Sequence, residues 1–189
     1  MQYIPDESKR WKTLKSEYLF NRPWLTARRD TVELPDGRIN PEFYVLEYPS
    51  WINVIARDTN GDYVLVEQYR HGLDAVGLEL CAGVVEDGEE PLAAARRELE
   101  EETGYTGGEW TLGMVLCGNP SVTNNLTYCF IADGVEKTTG QHLDANEDLT
   151  VKVLTEDELR DYMLADRMKQ ALMAAPLWRY FALGLNKKS

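Results

Sequence analysis

The sequence predicts an α/β protein with a small N-terminal β segment over residues 1–50 and a larger domain over residues 51–189. Short apolar runs typical of strands recur between Trp51 and Leu154. One amphipathic helix interrupts these runs after Pro91, and helical patterns return from Asp157 to the end of the chain. Interspersed strands and helices of this kind favour a layered α/β domain.

Composition limits the functions open to such a domain. The 189 residues suit one main domain, and a hydrophobic content of 43% is enough for a packed core. The net charge of −12 argues against nucleic-acid and anionic-membrane binding, because both require clustered Lys and Arg. An anionic small substrate stays compatible with this charge, since bound cations reverse its local sign.

The cysteines indicate a reducing compartment. Cys81, Cys117 and Cys129 have neither a CxxC spacing nor the even number of a disulfide framework. All lie in apolar, strand-like surroundings, so we expect buried free thiols. No signal peptide opens the chain, and no apolar run reaches the length of a membrane span. We therefore expect a cytoplasmic protein.

The N-terminal segment predicts strands without a core of their own. The run Trp24–Tyr48 alternates like short strands and is broken at the turn Pro35-Asp36-Gly37. A strand pair with one turn buries little surface alone. We therefore expect this segment to dock on the following domain or on a second subunit.

Residues 51–85 predict a hairpin that leads into the amphipathic helix. Trp51–Arg57 and Tyr63–Gln68 flank the turn Asp58–Gly61, as in a β-hairpin. Leu78–Val85 then brings the chain to the helix. Pro91 suits the first helical position, where an N–H has no partner, and Gly104 suits the left-handed end of the helix.

The helix carries an apolar face and an acidic face. The residues suited to a core are Leu92, Ala95, Leu99 and Thr103. The residues that we assign together to the opposite side are Glu98, Glu101 and Glu102, with Arg97 at the edge. Carboxylates this close repel one another, and a pair from Arg97 to Glu101 offsets only part of that repulsion. A solvated acidic face is the ordinary explanation, and a hard divalent cation with oxygen ligands is the alternative.

The part of the chain beyond this helix predicts three more strands and a helical tail. The strands are Trp110–Cys117, Leu126–Ile131 and Thr150–Leu154. Thr155 and Glu158 form the pattern of a capping box. The tail Asp157–Leu185 is expected to be helical in two or three pieces, with a break at Pro176.

The spacing around the helix decides between the solvated face and the cation. The stretch Gly83–Tyr105 reads GVVEDGEEPLAAARRELEEETGY and matches the Nudix box at nine specified positions within 23 residues. These positions are Gly83, Glu89, Arg97, Glu98, Leu99, Glu101, Glu102, Gly104 and Tyr105. The chain therefore resembles the Nudix hydrolases, although that family more often has an aliphatic residue in place of Tyr105.

The resemblance implies both a fold and a metal site. Nudix proteins are α/β/α sandwiches with a mixed sheet, and they hydrolyse a nucleoside diphosphate linked to another moiety with Mg²⁺ or Mn²⁺. Carried over, the metal ligands would be Glu98, Glu101, Glu102 and the carbonyl oxygen of Ala82, with Glu102 the principal ligand. The resemblance also implies that Arg97 orients these glutamates and that Glu89 pairs with Arg97.

Other segments resemble the ADP-ribose and nucleotide-sugar pyrophosphatase branch of this family. They are VLVEQYRHG, LELCAGVVEDGE, the N-terminal strands, and Pro120, which lies 16 residues after Gly104 where the branch has a substrate-loop proline. The branch exchanges its N-terminal strands between two subunits, which implies a homodimer. The resemblance spans residues 20–165 or so.

Arginines are the candidates for binding the substrate. Arg70 is placed on the diphosphate, because a guanidinium fork matches phosphate oxygens; a surface arginine at a strand end is the alternative. Arg28 and Arg29 are candidates for a partner subunit's substrate, although adjacent arginines on a strand are commonly only exposed. His71 and His142 lack metal-ligand spacing, so no zinc site is expected.

The general base is left open. The late loop reads Asp144-Ala145-Asn146-Glu147-Asp148, and Glu147 matches a metal or base position of the branch. Ala145 stands where the branch frequently has another acid. The candidates are therefore Glu147, Asp144 and a metal-bound hydroxide.

The sequence predicts metal-dependent hydrolysis of ADP-ribose or a related nucleoside diphosphate sugar, which yields a nucleoside monophosphate and a sugar phosphate. One alternative is a different Nudix substrate, such as GDP-mannose or a dinucleoside polyphosphate. The alternative of another class is a sensor that binds ADP-ribose without turnover. The complete set of box glutamates favours hydrolysis, because a sensor does not need it.

Overall fold

The computed structural model describes residues 6–186, which fall into two compact units. The first unit runs to Tyr48 and includes Asn119–Asn125; the second comprises Pro49–Gly118 and the chain from Leu126. None of the helices formed by residues 6–186 is long and apolar enough to cross a membrane.

The first unit is a three-stranded antiparallel sheet in the order β1-β2-β3. Its strands are β1 (Lys12–Arg22), β2 (Leu25–Glu33) and β3 (Ile39–Glu47), after a short 3-10 turn at Glu7–Lys9. Strands β2 and β3 lie within the predicted pair, whereas β1 was not predicted. All 11 residues of β1 are exposed, so its sequence has no one-sided apolar pattern to reveal it.

The segment Asn119–Asn125 belongs to this first unit. The backbone N–H of Leu46 donates to the carbonyl oxygen of Val122 at 2.7 Å, and the N–H of Tyr48 donates to the side chain of Asn124 at 3.2 Å. These bonds attach the segment to the end of β3. The predicted substrate-loop residue Pro120 therefore lies beside the N-terminal strands.

The second unit contains a seven-stranded mixed sheet. The strand order is β10-β5-β4-β9-β8, with β6 paired to β5 and β7 paired to β4. The strands are β4 (Trp51–Asp58), β5 (Tyr63–Arg70), β6 (Ala75–Glu79), β7 (Cys81–Val84), β8 (Tyr105–Leu116), β9 (Thr127–Lys137) and β10 (Leu149–Leu154). The pair β4–β9 is parallel and the other pairs are antiparallel, which confirms the predicted mixed sheet.

Helices cover both faces of this mixed sheet. The helices are α1 (Pro91–Thr103), α2 (Glu156–Leu164) and α3 (Ala171–Ala182). Ile52, Val54 and Val64 pack in a core with α1, whereas Ile55 and Leu65 pack in a second core with α2 and α3. Because successive strand residues point to opposite faces, both faces of β4 and β5 are buried and their sequences are continuously apolar. The predicted α/β/α sandwich is confirmed.

The C-terminal helices confirm one boundary and correct another. Thr155 and Glu158 form the predicted capping box at the start of α2. The predicted break at Pro176 is wrong, because Pro176 lies inside α3 and the chain interrupts its helices earlier, between α2 and α3. Proline removes the N–H that would bond the carbonyl of Leu172, and the Nδ2 of Asn53 donates to that oxygen instead at 2.7 Å.

The cysteines are free thiols. Cys81 and Cys129 are buried as expected, and Cys117 is half-buried. None of these three cysteines forms a disulfide, so no covalent cross-link among them adds to the packing of the mixed-sheet unit.

Candidate active site

Helix α1 forms the centre of the candidate site, and its boundaries are those predicted. It begins at Pro91 and ends at Gly104, whose φ of 75° lies in the left-handed region. The N–H of Gly104 donates to the carbonyl oxygen of Glu100 at 2.8 Å, so the last turn is closed.

The predicted separation of apolar and acidic faces is wrong for two of the three glutamates. Glu98 and Glu102 are buried, with exposed fractions of 9% and 4%, whereas Glu101 is partly exposed. Glu102 lies four positions after Glu98, so both share one face of the helix with Ala94 and Ala95. This face packs toward β7 rather than toward solvent.

The carboxylates of Glu98 and Glu102 lie directly against the backbone of β7. The N–H of Ala82 donates to Oε2 of Glu102 at 3.2 Å. A Cβ atom at Gly83 would collide with the carboxylate of Glu98. A side chain at position 83 would therefore displace the Glu98 carboxylate from its present position, and this effect does not depend on a positive φ at Gly83.

Arg97 gathers the polar groups at the edge of the site. Its Nε and Nη2 each donate to Glu89 at 3.1 Å, and Nη1 donates to Glu98 at 2.9 Å and to Glu101 at 3.0 Å. Nη2 also donates to the carbonyl oxygen of Val84 at 3.1 Å. The bonds from Arg97 lower the pKa of Glu89, so one guanidinium orients three carboxylates.

The positive charge around the buried carboxylates of Glu98 and Glu102 is too small to offset the cost of burying them as ions. The pKa of Glu102 is raised to about 7, chiefly by burial and also by the charges of Glu98 and Glu147, while hydrogen bonds from Cys81 and Ala82 oppose the rise. Burial also raises the pKa of Glu98, although Arg97 opposes this, and the charges of Glu101 and Glu147 add to the rise. Both ionised forms would be favoured by an additional cation.

Cys81 is a neighbour of Glu102 that sequence reasoning missed. Its thiol hydrogen-bonds the Glu102 carboxylate, and burial together with the charge of Glu102 raises the thiol pKa well above its usual value. The thiol therefore stays protonated and donates to Glu102. Strand alternation pointed Cys81 into a core, but nothing in the sequence paired it with a residue 21 positions later.

The late loop is attached to the end of α1 and brings Glu147 near the box. Nε2 of Gln141 donates to the carbonyl oxygen of Glu102 at 2.8 Å, and the N–H of His142 donates to that of Glu101 at 2.8 Å. The loop thereby satisfies carbonyl groups that a helix end leaves unpaired. Oε2 of Glu147 accepts from the N–H of Asp144 at 2.8 Å.

Arg70, at the end of β5, is held by Glu79. Its Nε donates to both carboxylate oxygens at 3.0 and 3.2 Å, and its Nη2 donates to Oε2 at 2.7 Å. These bonds raise the pKa of Arg70, and the charge of Glu102 contributes to the rise. Arg70 is therefore electrostatically linked to Glu102.

The other substrate candidates lie in the first unit. Arg29 pairs with Glu17 at 2.8 Å and with Glu42 at 3.2 Å. Arg28 pairs with the buried Asp30 at 3.1 Å and also contacts Glu47. The roles of Arg29 and Pro120 toward substrate stay predictions.

The chemistry of the donor set suits a divalent cation. Within residues 6–186, no three His, Cys, Asp or Glu side chains already converge around one metal position. Arg97 holds one oxygen each of Glu98 and Glu101. Several carboxylates beside a backbone carbonyl are nonetheless the ligands that Mg²⁺ and Mn²⁺ prefer.

Two family profiles match the sequence. Residues 48–175 match the NUDIX domain, and residues 11–46 match the nucleoside diphosphate sugar hydrolase N-terminal domain. The fold is also similar to that of a solved crystal structure of an ADP compounds hydrolase, with a TM-score of 0.80 and 18% identity. That match covers 93% of this chain and 94% of the other.

Curated relatives have similar lengths. A methanol dehydrogenase activator from Bacillus methanolicus is 33% identical over 83% of this chain and 85% of its own. An ADP-ribose pyrophosphatase from Bacillus subtilis is 32% identical over 79% of this chain and 81% of its own. The domain match, the relatives and the geometry around α1 agree, and the chain belongs to the Nudix family.

Proposed function

We propose that this Nudix hydrolase cleaves the diphosphate bond of ADP-ribose or a related nucleoside diphosphate sugar. From ADP-ribose the products would be AMP and ribose 5-phosphate. The observation that carries the proposal is the burial of Glu98 and Glu102 against the Ala82–Gly83 backbone, with a shortage of positive charge. The relative named as an ADP-ribose pyrophosphatase and the N-terminal domain match support the nucleoside diphosphate sugar as substrate.

The metal would be Mg²⁺ or Mn²⁺. The groups proposed to hold it are the carbonyl oxygen of Ala82 and the carboxylates of Glu98, Glu101, Glu102 and Glu147. When bound, such an ion neutralises charge on the diphosphate and lowers the pKa of a coordinated water.

The residues of the chain have separate tasks in this proposal. Arg97 keeps the carboxylates of Glu98 and Glu101 in place, and the Cys81 thiol with the Ala82 N–H keeps that of Glu102. Arg70 binds diphosphate oxygens through its guanidinium. These contacts fix the reacting groups before the chemical step, and positioning supplies much of the catalysis in phosphoryl transfer.

Glu147 is the proposed general base. As the water oxygen bonds to phosphorus and the bridging P–O bond breaks, the water proton passes to the Glu147 carboxylate. The charge of Glu147 acts on both Glu98 and Glu102, which supports its placement beside the site. Asp144 on the same loop is the alternative general base, and a metal-bound hydroxide that needs no loop acid is the third candidate.

A substrate panel tests the function. ADP-ribose, ADP-glucose, GDP-mannose and diadenosine polyphosphates are incubated with the protein and Mg²⁺, and products are separated by ion-exchange chromatography. We expect the highest kcat/KM for ADP-ribose or ADP-glucose. Preference for GDP-mannose or a dinucleoside polyphosphate would favour the alternative substrates, and tight ADP-ribose binding without products would favour the sensor.

The N-terminal sheet supports a homodimer. Large apolar side chains of this unit are exposed, among them Phe20 at 57% and Trp24 at 71%. Phe20 lies on β1 and Trp24 in the turn between β1 and β2, and exposed apolar side chains of this size suit an interaction surface. We assign the surface to a second copy of the chain, as the branch resemblance implies, and leave open whether the strands are exchanged.

Analytical ultracentrifugation tests the dimer. We expect the mass of two chains at micromolar concentration and a lower mass when Phe20 and Trp24 are both replaced by Glu. A single-chain mass for the unchanged protein at that concentration would rule out the dimer. Glu7→Gln on the exposed 3-10 turn is the control and should leave the mass unchanged.

The free thiols support a cytoplasmic location. Cys81 and Cys129 are buried and unpaired by disulfides, which suits a reducing compartment. Fractionation of cells that express the protein should recover it with cytoplasmic markers.

A further inference from the structure

Glu79 is a buried charged residue for which the proposed reaction gives no role. It ends β6 with an exposed fraction of only 5%. Within residues 6–186, its side chain accepts hydrogen bonds only from β5: three from Arg70 and one from Nε2 of Gln68 at 3.3 Å. A buried carboxylate is costly unless it is paired, so this arrangement needs an explanation.

Strand register places these side chains on one face of the sheet. Glu79 lies opposite Val66, and Gln68 lies opposite Gly77, in the antiparallel pair β5–β6. Since side chains alternate along each strand, Gln68, Arg70 and Glu79 share a face. Arg70 and Glu79 stand at opposite ends of the paired stretch and meet by extending toward each other.

The contact leaves part of the Arg70 guanidinium for a ligand. Glu79 accepts from Nε and Nη2, whereas Nη1 carries two more N–H donors. The Arg70 side chain is 35% exposed, against 7% for that of Glu79. One edge of the guanidinium is thus fixed by Glu79, and among the described residues Nη1 on the other edge has no hydrogen-bond partner.

We propose that Glu79 is a positioning residue that holds the Arg70 guanidinium ready for the substrate diphosphate. The inference rests on the proposed function, in which Arg70 binds that diphosphate. A free arginine side chain loses much rotational freedom when it binds a phosphate, and a guanidinium already held by Glu79 loses less. Glu79 itself makes no contact with substrate in this arrangement.

Glu79→Gln is the main test, with steady-state kinetics on ADP-ribose at saturating Mg²⁺. Glutamine keeps the size of the side chain but removes its charge and one acceptor oxygen. We expect KM to rise about tenfold and kcat to change by less than about threefold, because a ground-state contact is weakened. A purely structural role would lower the amount of folded protein without this division between KM and kcat.

Glu67→Gln is the matched control. Glu67 lies on β5, the strand of Arg70, and pairs with Lys152 of β10 at 3.3 Å, so its replacement removes an ion pair from the same sheet. We expect its KM to stay within about twofold of the unchanged protein. If Glu67→Gln raised KM as much as Glu79→Gln does, the proposal would be overturned, because loss of any ion pair in this sheet would then explain the rise in KM.

A double-mutant cycle asks whether Glu79 acts through Arg70. Lysine at position 70 keeps the charge but lacks the planar fork. In the Arg70→Lys background we expect Glu79→Gln to raise KM by less than about twofold, because the group it positions is already gone. An undiminished effect in that background would overturn the proposal.

Glu79→Asp keeps the inference testable if the glutamine variant does not fold. Aspartate retains the charge and withdraws it by one methylene, so KM should rise about threefold or more; a KM equal to that of the unchanged protein would overturn the proposal. A failure of the proposed function itself can be distinguished from a failure of this inference by the activity of the unchanged protein. In that case the unchanged protein releases no product from any nucleoside diphosphate sugar.

Discussion

The two sheets of this protein differ in what covers them. In the mixed sheet, β4 has buried side chains on both faces, such as Ile52 and Ile55 at 0% and 1% exposure. In the N-terminal sheet, every residue of β1 is exposed although the strand is longer. Helices of the same chain cover both faces of the mixed sheet. In the N-terminal sheet, pairing between strands leaves the side chains of β1 exposed.

This difference assigns stability and association to different parts of the chain. Burial of apolar surface is the main source of folding free energy, and the mixed sheet with its helices contains most of the buried apolar residues. The exposed aromatic residues of the N-terminal sheet become a source of free energy only when another surface covers them. Changes in the two regions should therefore alter different measurements.

Leu65→Ala in β5 should have the largest effect. Leu65 is 0% exposed, so its truncation leaves a cavity in a closed core. We expect a loss of about 2–5 kcal/mol in the free energy of unfolding, measured by urea denaturation. A loss below about 1 kcal/mol would mean that the core readily collapses around the gap, which would weaken the contrast between the sheets.

Glu102→Gln should separate activity from stability within the mixed-sheet unit. We expect kcat to fall about 100-fold or more, because the variant loses a charge of the proposed metal site. Metal-free stability should hold or rise, since a buried charge is removed. Mg²⁺ should raise the Tm of the unchanged protein and raise that of the variant much less. Near-normal turnover at saturating Mg²⁺ would exclude Glu102 from the site.

Glu147→Gln should have a smaller effect on turnover. If its carboxylate takes the proton of the attacking water, kcat should fall roughly tenfold or more while KM changes little. Asp144→Asn on the same loop is the comparison and should lower kcat less. If Asp144→Asn lowers kcat more, Asp144 is the general base instead. If neither change lowers kcat, the base is a metal-bound hydroxide that no acid of this loop assists.

Phe20→Ala in β1 should have the smallest effect on folding. At nanomolar concentration, where the proposed dimer dissociates, we expect the free energy of unfolding to change by less than about 0.5 kcal/mol. The same change should weaken association in sedimentation at micromolar concentration. A loss of about 2 kcal/mol at nanomolar concentration would show that β1 is packed within its own chain.

Local signals made much of the mixed-sheet unit predictable from sequence. Pro91 marks the start of α1 and Gly104 its end, and the capping box of Thr155 and Glu158 marks the start of α2. These signals can be read from sequence because each acts on backbone groups close to it in the chain. Continuous apolar runs likewise located β4 and β5. By contrast, β1 is exposed on both faces, so it has no apolar period from which a strand is predicted.

The parts that sequence did not predict depend on distant partners. Helical periodicity predicts that Glu98 and Glu102 face away from the core, whereas the structure buries both against the β7 backbone. The pairing of Arg70 with Glu79 follows from strand register, which periodicity does not specify. For the same reason the Cys81 contact with Glu102 was not foreseen. Each of these contacts joins separate elements of secondary structure.

The bond from Asn53 to Leu172 makes the C-terminal helix dependent on a strand 119 residues earlier. A segment of 12 residues with a proline inside it is too short to persist as an isolated helix in water. Helix α3 should consequently complete its backbone bonding only after β4 is in place. In native-state hydrogen exchange, the amides of these two elements should open together, as one cooperative unit, rather than α3 fraying independently as a terminal helix.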